Sequence, residues 1–182
     1  GPDARTRHGE VRVVLAMPEP KADVLARADE IIAALREIVP GEGVIVDETE
    51  KRAYETDGLT AYRVSPMVVV LPSTVDQVSR VLAYCHEQGI RVVPRGSGTS
   101  LSGGALPLED GILLGLGKFN QILDIDTDNR CVVAQPGVTN LGITRAVEDD
   151  GFYYAPDPSS QIACSIGGNV AENAGGVHCL KY

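Results

Sequence analysis

A strand, a helix and a second strand, followed by a glycine-rich loop, constrain the fold of this chain more than any other feature. The apolar run at residues 67–71 predicts a buried strand. Thr74 and Gln77 fit a capping box that starts a helix, and Gly89 marks its end. We expect the strand at 91–94 to pair in parallel with the one at 67–71 through a right-handed crossover.

The glycine- and serine-rich loop at the second strand, residues 92–104, has the composition of a phosphate-binding loop. Its glycines allow the backbone to approach an anion closely, its serines and Thr99 add hydroxyl donors, and Arg95 adds a positive charge. A plain connecting loop has a similar composition. The position of this loop at the carboxyl end of a strand favours ligand binding, because open α/β sheets place their ligands there.

Three familiar motifs are excluded by one or two residues each. Leu101 stands where the dinucleotide fingerprint needs its third glycine. Around Gly117-Lys118, Ile112 and Phe119 replace the glycine and the Ser/Thr of a P-loop. The acidic ladder 124–128 resembles an EF-hand opening, but Asn129 and Gln135 occupy its glycine and glutamate positions.

Composition limits the possible partners. With 182 residues, 43% hydrophobic and 23% charged, the chain is typical of a globular protein of one domain or one domain and a part. The net charge of −9 argues against a nucleic-acid partner. No apolar run is longer than the five residues of 67–71, which is too short to span a membrane, and the start Gly1-Pro2 suggests a processed terminus. We therefore expect a cytoplasmic protein.

The four cysteines are predicted to be reduced thiols. Cys85, Cys131, Cys164 and Cys179 show no C-x-x-C spacing. A zinc site from Cys164, His178 and Cys179 is an alternative, but its spacing fits no usual pattern, so no metal is predicted.

Hydrophobic periodicity predicts the remaining elements. Before the first strand we expect a helix, a short strand and a brief helix, at residues 21–39, 44–46 and 48–54. After the loop we expect three strands of an antiparallel or mixed sheet, at residues 112–116, 121–126 and 130–135. Thr139 can cap a helix that runs to Gly151.

A second glycine-containing segment follows an extended turn at 154–160. Ser165 can cap a helix whose first turn holds Gly167 and Gly168. Such a turn can present backbone N–H groups to negative charge or to a ring edge. Alternatively, its glycines allow tight packing against a sheet. The residues themselves leave both interpretations open.

Four segments together resemble the FAD-binding domain of the vanillyl-alcohol-oxidase type, also called the p-cresol-methylhydroxylase type. They are PRGSGTS at 94–100, QPG at 135–137, PDPSS at 156–160 and IGGNVAENAGG at 166–176. Within this type, the chain is most similar to the 2-hydroxy acid group, which contains the FAD-linked subunits of bacterial glycolate oxidases and D-lactate and D-2-hydroxyglutarate dehydrogenases. The resemblance extends from about Ile38 to the end of the chain.

The resemblance implies a mixed α/β fold of the α+β class. It divides the chain into an N-terminal tail and helix (1–37), a small βαβ subdomain that ends in the pyrophosphate loop (38–104), and a second FAD subdomain with an antiparallel or mixed sheet (105–182). In such proteins the second subdomain continues further, and a cap domain covers the substrate. We expect both of these parts, and the catalytic base, beyond Tyr182.

The resemblance also implies which residues bind FAD. The first loop would hold the pyrophosphate, and Pro136-Gly137, 156–160 and 163–173 would line the adenosine, ribityl and isoalloxazine parts. The predicted set is Pro94, Arg95, Gly96, Ser97, Gly98, Thr99, Ser100, Gly103, Gly104, Pro136, Gly137, Pro156, Asp157, Ser159, Ser160, Ala163, Cys164, Gly167, Gly168, Asn169, Asn173 and Gly175. Arg95 has an alternative role in a structural ion pair that pins the loop.

The implied activity is oxidation of a 2-hydroxy acid, glycolate or D-lactate, by hydride transfer to non-covalent FAD. Residues 96–100 contain no histidine that could attach the flavin, and His86 and His178 lie outside this loop. The implied electron acceptor is an iron–sulfur partner subunit or a quinone, so membrane contact would be peripheral. Two alternatives stay open: a non-catalytic fragment that only holds the cofactor, and another enzyme of the same flavin superfamily, such as a sugar-nucleotide reductase or an alcohol oxidase.

Overall fold

A computed structural model describes residues 17–181, and a four-stranded sheet forms the centre of its first half. The strands are β1 (Val44–Ile45), β2 (Val68–Val70), β3 (Arg91–Arg95) and β4 (Gly111–Gly115). Their order is β1-β2-β4-β3, with β2, β4 and β3 parallel and β1 antiparallel at one edge. The start of the N-terminal tail, residues 1–16, lies outside the described part of the chain.

The predicted direct pairing of the strands at 67–71 and 91–94 is wrong. Strand β4 lies between them, whereas the sequence predicts its segment as part of the antiparallel or mixed sheet of the second half. All five residues of β4 are buried, which requires neighbours on both sides and both faces. Strand β3 takes the edge instead, and an edge position tolerates Pro94, which has no N–H to donate.

Two helices cover this sheet and complete the core. Helices α2 (Ala28–Ile38) and α4 (Val75–Gln88) bury Ile31, Leu35, Val81 and Cys85 against the strands. Burial raises the pKa of the Cys85 thiol to about 11, so this thiol stays protonated and inert at neutral pH.

The predicted single helix at 21–39 is interrupted. A short α1 (Ala22–Leu25) precedes α2, and Arg27 between them leaves helical geometry with φ −105° and ψ 15°. The Arg27 guanidinium donates to Gln88 Oε1 at 2.8 Å and to the Gln88 carbonyl. The helix is therefore interrupted at the residue whose side chain contacts the end of α4. Local periodicity does not indicate such a long-range contact.

The capping signals of α4 are confirmed. Thr74 Oγ1 accepts the N–H of Gln77 at 3.2 Å, and Gln77 Oε1 accepts the N–H of Ser73 rather than that of Thr74. Gly89 ends the helix in the left-handed region at φ 65°. The brief helix predicted at 48–54 is present as α3 (Glu48–Lys51) and a 3₁₀ turn (Arg52–Tyr54).

The second half begins with the predicted hairpin. Strands β5 (Ile122–Asp126) and β6 (Cys131–Ala134) pair antiparallel, and Asp126 accepts hydrogen bonds from Asn129 in the turn. Helix α5 (Asn140–Val147) follows, with Thr139 Oγ1 accepting the Gly142 N–H as predicted. The second half also contains a 3₁₀ turn (Glu148–Asp150) and the short helix α6 (Ile166–Glu172). No helix within residues 17–181 is long and apolar enough to cross a membrane.

Candidate functional site

The glycine-rich loop leaves the carboxyl end of β3 and meets the segment that starts α6. A Cβ atom added at Gly96 would overlap Ser165 Oγ and lie 3.2 Å from Ser165 Cβ. The two segments are therefore in close contact, and a side chain larger than a methyl group at residue 96 would force them apart. Two motifs separated by about 70 residues of sequence thus form facing walls of one cleft.

This cleft has a volume of about 320 Å³ and is lined mostly by small residues. Eleven predicted site residues line it: Pro94, Gly96, Ser97, Gly98, Thr99, Ser100, Gly104, Ser160, Cys164, Gly168 and Asn169. Five further lining residues are not among the individually predicted ones, namely Ala105, Ser165, Ala171, Glu172 and Ala174, although the predicted segment 163–173 includes Ser165, Ala171 and Glu172. Four of these five lie between predicted residues in the sequence, so proximity to those residues is the sequence signal that indicates them.

The other predicted site residues lie outside the cleft lining. They are Arg95, Gly103, Pro136, Gly137, Pro156, Asp157, Ser159, Ala163, Gly167, Asn173 and Gly175. A larger depression of about 460 Å³, between the β5–β6 hairpin, α5 and α6, contains none of the predicted residues. Its lining is largely aliphatic and aromatic, so the smaller cleft, where hydroxyl and amide groups converge, is the better candidate for a phosphate-containing ligand.

Two buried polar atoms in the cleft lack a hydrogen-bond partner within the described chain. Ser165 Oγ and Asn169 Nδ2 belong to residues that are only 3% and 8% exposed. Ser165 occupies the N-cap position of α6, but its hydroxyl accepts no capping bond, so the predicted capping role is wrong. Because buried polar groups nearly always have partners, these two atoms indicate a ligand with hydrogen-bonding groups.

The first turn of α6 is packed against the 136–138 segment. The N–H groups of Ile166 and Gly167 donate to the carbonyls of Val138 and Pro136, both at 2.8 Å. These donors are therefore not available to an anion. A Cβ at Gly167 would lie 2.6 Å from Pro136 Cβ, so at this residue the structure supports the tight-packing interpretation.

Gly167→Ala is expected to destabilise the chain by about 1–3 kcal/mol, because the added Cβ collides with Pro136 and forces α6 outward. Helix propensity alone predicts the opposite sign, a gain of up to about 1 kcal/mol. Gly168→Ala is the matched control, since its Cβ would meet only Ser165 Oγ at 3.3 Å. Urea denaturation of both variants measures the difference; equal stabilities would contradict the packing account.

The amino end of α5 is hydrogen-bonded to the 161–164 segment, which precedes α6 and contains the cleft-lining residue Cys164. The N–H groups of Asn140 and Leu141 donate to the carbonyls of Cys164 and Gln161, at 3.1 and 3.0 Å. The side-chain amide of the fully buried Asn140 donates to the Pro156 carbonyl at 2.9 Å. Sequence reasoning missed Asn140, because nothing local distinguishes it from an ordinary first-turn residue.

His178, whose role the sequence left open, hydrogen-bonds Asp157 beside the cleft. Its Nδ1 lies 2.8 Å from Asp157 Oδ2, and this contact lowers the pKa of the Asp157 carboxyl. The Asp157 N–H donates to the Gly175 carbonyl, so the pair ties the 176–178 segment to the 156–160 turn. No cluster of three or more metal-ligating side chains occurs within residues 17–181.

The lining residues suit binding rather than acid–base chemistry. Glu172 is the only carboxylate that lines the cleft within the described chain, and neither lysine nor arginine lines it there. A bound anion would therefore be held by backbone N–H and hydroxyl groups. The unpartnered Ser165 and Asn169 atoms and the glycine-lined walls fit FAD, whose flavin would supply the redox chemistry that these side chains lack.

Comparisons with known proteins agree with this cleft. A family model described as FAD binding domain matches residues 66–182. Glycolate oxidase subunit GlcD of Escherichia coli (strain K12) is 59% identical over 152 residues, which cover 84% of this chain and 30% of that protein. Mitochondrial D-2-hydroxyglutarate dehydrogenase of Bos taurus is 37% identical over 155 residues, 85% of this chain and 28% of that protein.

Among solved structures, p-cresol methylhydroxylase with substrate bound superimposes with a TM-score of 0.66 at 22% identity, covering 83% of this chain and 30% of that one. This likeness shows the fold and confirms the expected mixed α/β architecture. The chain thus spans about 30% of the length of the relatives it matches.

Proposed function

The chain belongs to the family of FAD binding domains, and from this membership we propose that it is the FAD-binding part of an oxidoreductase acting on 2-hydroxy acids. Glycolate or D-lactate would be oxidised to the 2-oxo acid. The observation that carries the proposal is the contact between Gly96 and Ser165, which joins the pyrophosphate loop and the α6 segment in one cleft. The choice of substrate class rests on the relatives, a glycolate oxidase subunit and a D-2-hydroxyglutarate dehydrogenase.

In this proposal the chain binds and orients the cofactor. The backbone N–H groups and hydroxyls of residues 96–100 would hold the pyrophosphate, and Ser165 and Asn169 would offer their unpartnered polar atoms to other parts of FAD. When bound, FAD supplies the acceptor for the two electrons of the substrate. FAD bound between the two walls would displace water from these groups, which would strengthen the polar contacts.

The FAD is proposed to be dissociable. No histidine lines the cleft within the described residues, and His86 lies on α4, while His178 is engaged by Asp157. The GlcD relative is named as a subunit of an oxidase. That name favours a partner subunit. In line with the resemblance, we propose an iron–sulfur subunit or a quinone as the electron acceptor. We also propose a cytoplasmic location with only peripheral contact with a membrane.

Two measurements test the proposal. The 182-residue chain, purified with added FAD and then denatured, is expected to release flavin. A longer polypeptide that contains the chain is expected to reduce an artificial dye with glycolate or D-lactate, whereas the chain alone is not, because its cleft holds no acid–base pair. Absence of flavin in both proteins would overturn the cofactor assignment. Turnover only with an unrelated substrate would overturn the substrate class.

A further inference from the structure

Three residues beneath the glycine-rich loop, Tyr54, Asp57 and Arg95, form a partly buried group that lies outside the lining of the cleft. We call them the loop support. Arg95 is the last residue of β3, and the other two follow α3 in a segment far away in sequence. Arg95 and the segment that contains Tyr54 and Asp57 both contact the backbone of the loop.

The Arg95 guanidinium is enclosed by the loop that it starts. A Cβ at Gly98 would lie 2.6 Å from Arg95 Nε and 2.7 Å from Cζ, so the turn at Gly98 wraps closely over the group. Arg95 Nη1 donates to the Tyr54 carbonyl at 3.1 Å, and Cζ lies 5.9 Å from the centroid of the Tyr54 ring. The guanidinium therefore points back into the protein.

The segment after Tyr54 supports the loop from the same side. A Cβ at Gly58 would lie 2.7 Å from the Thr99 carbonyl oxygen and 2.8 Å from that of Ser100, so the two backbones are in close contact. Asp57 is only 5% exposed, and its Oδ1 accepts the N–H of Leu59 at 3.0 Å, while Oδ2 has no partner in the described chain.

Charge keeps the support together. Burial lowers the pKa of Arg95, and the carboxylate of Asp57 opposes that shift, so the guanidinium stays charged at neutral pH. Asp57 makes no hydrogen bond to Arg95 in the described chain, so its carboxylate acts on the guanidinium through charge alone. The opposite charges favour proximity of the 54–58 segment and the loop, and the contacts of Tyr54 and Gly58 define how the two segments are arranged.

We propose that Arg95 is a positioning residue, which together with Tyr54 and Asp57 sets the conformation of residues 96–100 so that their N–H groups face the cleft. This inference rests on the proposed function, because it concerns the same FAD site. It assigns no direct contact between Arg95 and the pyrophosphate. An arginine that served as a ligand would be expected to line the cleft, whereas this one lies behind the loop backbone.

A double-mutant cycle on the 182-residue chain tests this assignment. Arg95→Met and Arg95→Lys are both expected to raise the FAD dissociation constant about tenfold, because lysine lacks the planar group that contacts Tyr54 and fills the turn. Tyr54→Leu is expected to raise it about threefold, and the Tyr54→Leu/Arg95→Met double variant no further than Arg95→Met alone. Tyr54→Phe keeps the ring and the backbone carbonyl and is expected to bind like the wild type.

A readout without cofactor accompanies the cycle. In the absence of FAD, amide hydrogen exchange of residues 96–100 is expected to quicken about fivefold in Arg95→Lys and Tyr54→Leu, while the β5–β6 hairpin is unchanged. Arg52→Met, at an exposed arginine close in sequence to Tyr54, is the matched control and is expected to change neither quantity.

Two results would overturn the assignment. One is near wild-type FAD affinity in Arg95→Lys combined with a large loss in Arg95→Met and none in Tyr54→Leu, the pattern of a charged ligand. The other is unchanged exchange of residues 96–100 in all Arg95 variants. If neither the wild-type chain nor a longer polypeptide that contains it binds FAD, the proposed function fails, and the exchange experiment alone decides whether Arg95 supports the loop.

Discussion

Gly96→Val is expected to raise the dissociation constant for FAD by about 10- to 100-fold, since overpacking costs about 1–3 kcal/mol. A Cβ at residue 96 already overlaps Ser165 Oγ and lies 3.2 Å from Ser165 Cβ. Rotation of the serine hydroxyl can relieve a single methyl, but not the branched valine side chain. The two walls of the cleft must then separate, and donors from both walls can no longer reach one ligand.

Fluorescence titration with FAD measures this loss, and two further variants show its origin. Gly117→Val, outside the cleft lining, is the matched control, because a Cβ at that residue meets no atom within 4 Å. Gly96→Ala is expected to lose much less affinity than Gly96→Val, because rotation of the Ser165 hydroxyl can relieve a single methyl. Wild-type affinity in Gly96→Val would show that the two segments do not meet.

Asp110→Asn is expected to lower the free energy of unfolding by about 3 kcal/mol, because it breaks a buried ion pair. The Asp110 side chain is fully buried, accepts from the Arg91 guanidinium through both oxygens, and accepts the Lys21 N–H at 2.9 Å. Arg91 is 25% exposed at its side chain and also donates to the Glu19 carbonyl, so the expected cost lies at the lower end for such pairs.

The pH dependence of this effect has a defined sign. Burial alone raises the pKa of Asp110, but the bonds from Arg91 and Lys21 outweigh burial and lower it from its ordinary 3.8. A lowered carboxyl pKa contributes stability that is present above the unfolded value and is lost as the pH falls through the folded value. The wild type should therefore lose its advantage over Asp110→Asn below about pH 4.

Urea denaturation at pH 7 and at pH 3 measures both the stability loss in Asp110→Asn and its expected decrease in acid. Asp76→Asn is the matched control, because its ion pair with Arg80 is exposed and 3.7 Å long, and a change within about 0.5 kcal/mol is expected. FAD affinity at pH 7 should be unchanged in Asp110→Asn, since the pair lies at the amino end of β3 and β4, away from the cleft. A stability gap that widens in acid would contradict the assignment.

Local sequence signals predicted the elements that local interactions determine. The caps of α4 and α5 and the β5–β6 hairpin depend on residues a few positions apart, and the structure confirms them. The central place of β4 depends on burial from both sides, which involves strands over 15 residues away in sequence. Periodicity identified that strand but not its neighbours.

The candidate site likewise combines features that local sequence signals predicted and features that depend on long-range contacts. The sequence located both walls of the cleft, because glycine and serine are required where a backbone approaches a ligand. Glycine is equally required where two backbones pack, and Gly137 and Gly167 serve that purpose, with Cβ positions 2.7 Å from the Phe119 carbonyl oxygen and 2.6 Å from Pro136 Cβ. Composition does not separate these uses. Likewise, the direction of the Arg95 side chain is set by Tyr54, which no local motif indicates.

Amide hydrogen exchange of the wild-type chain with and without FAD tests the central claim most directly. If the loop and the α6 segment form one FAD cleft, FAD will slow exchange in residues 96–100 and in residues 165–169 together, at the same ligand concentration, and will leave the β5–β6 hairpin unchanged. Protection of only one segment, or protection confined to the hairpin, would contradict the account.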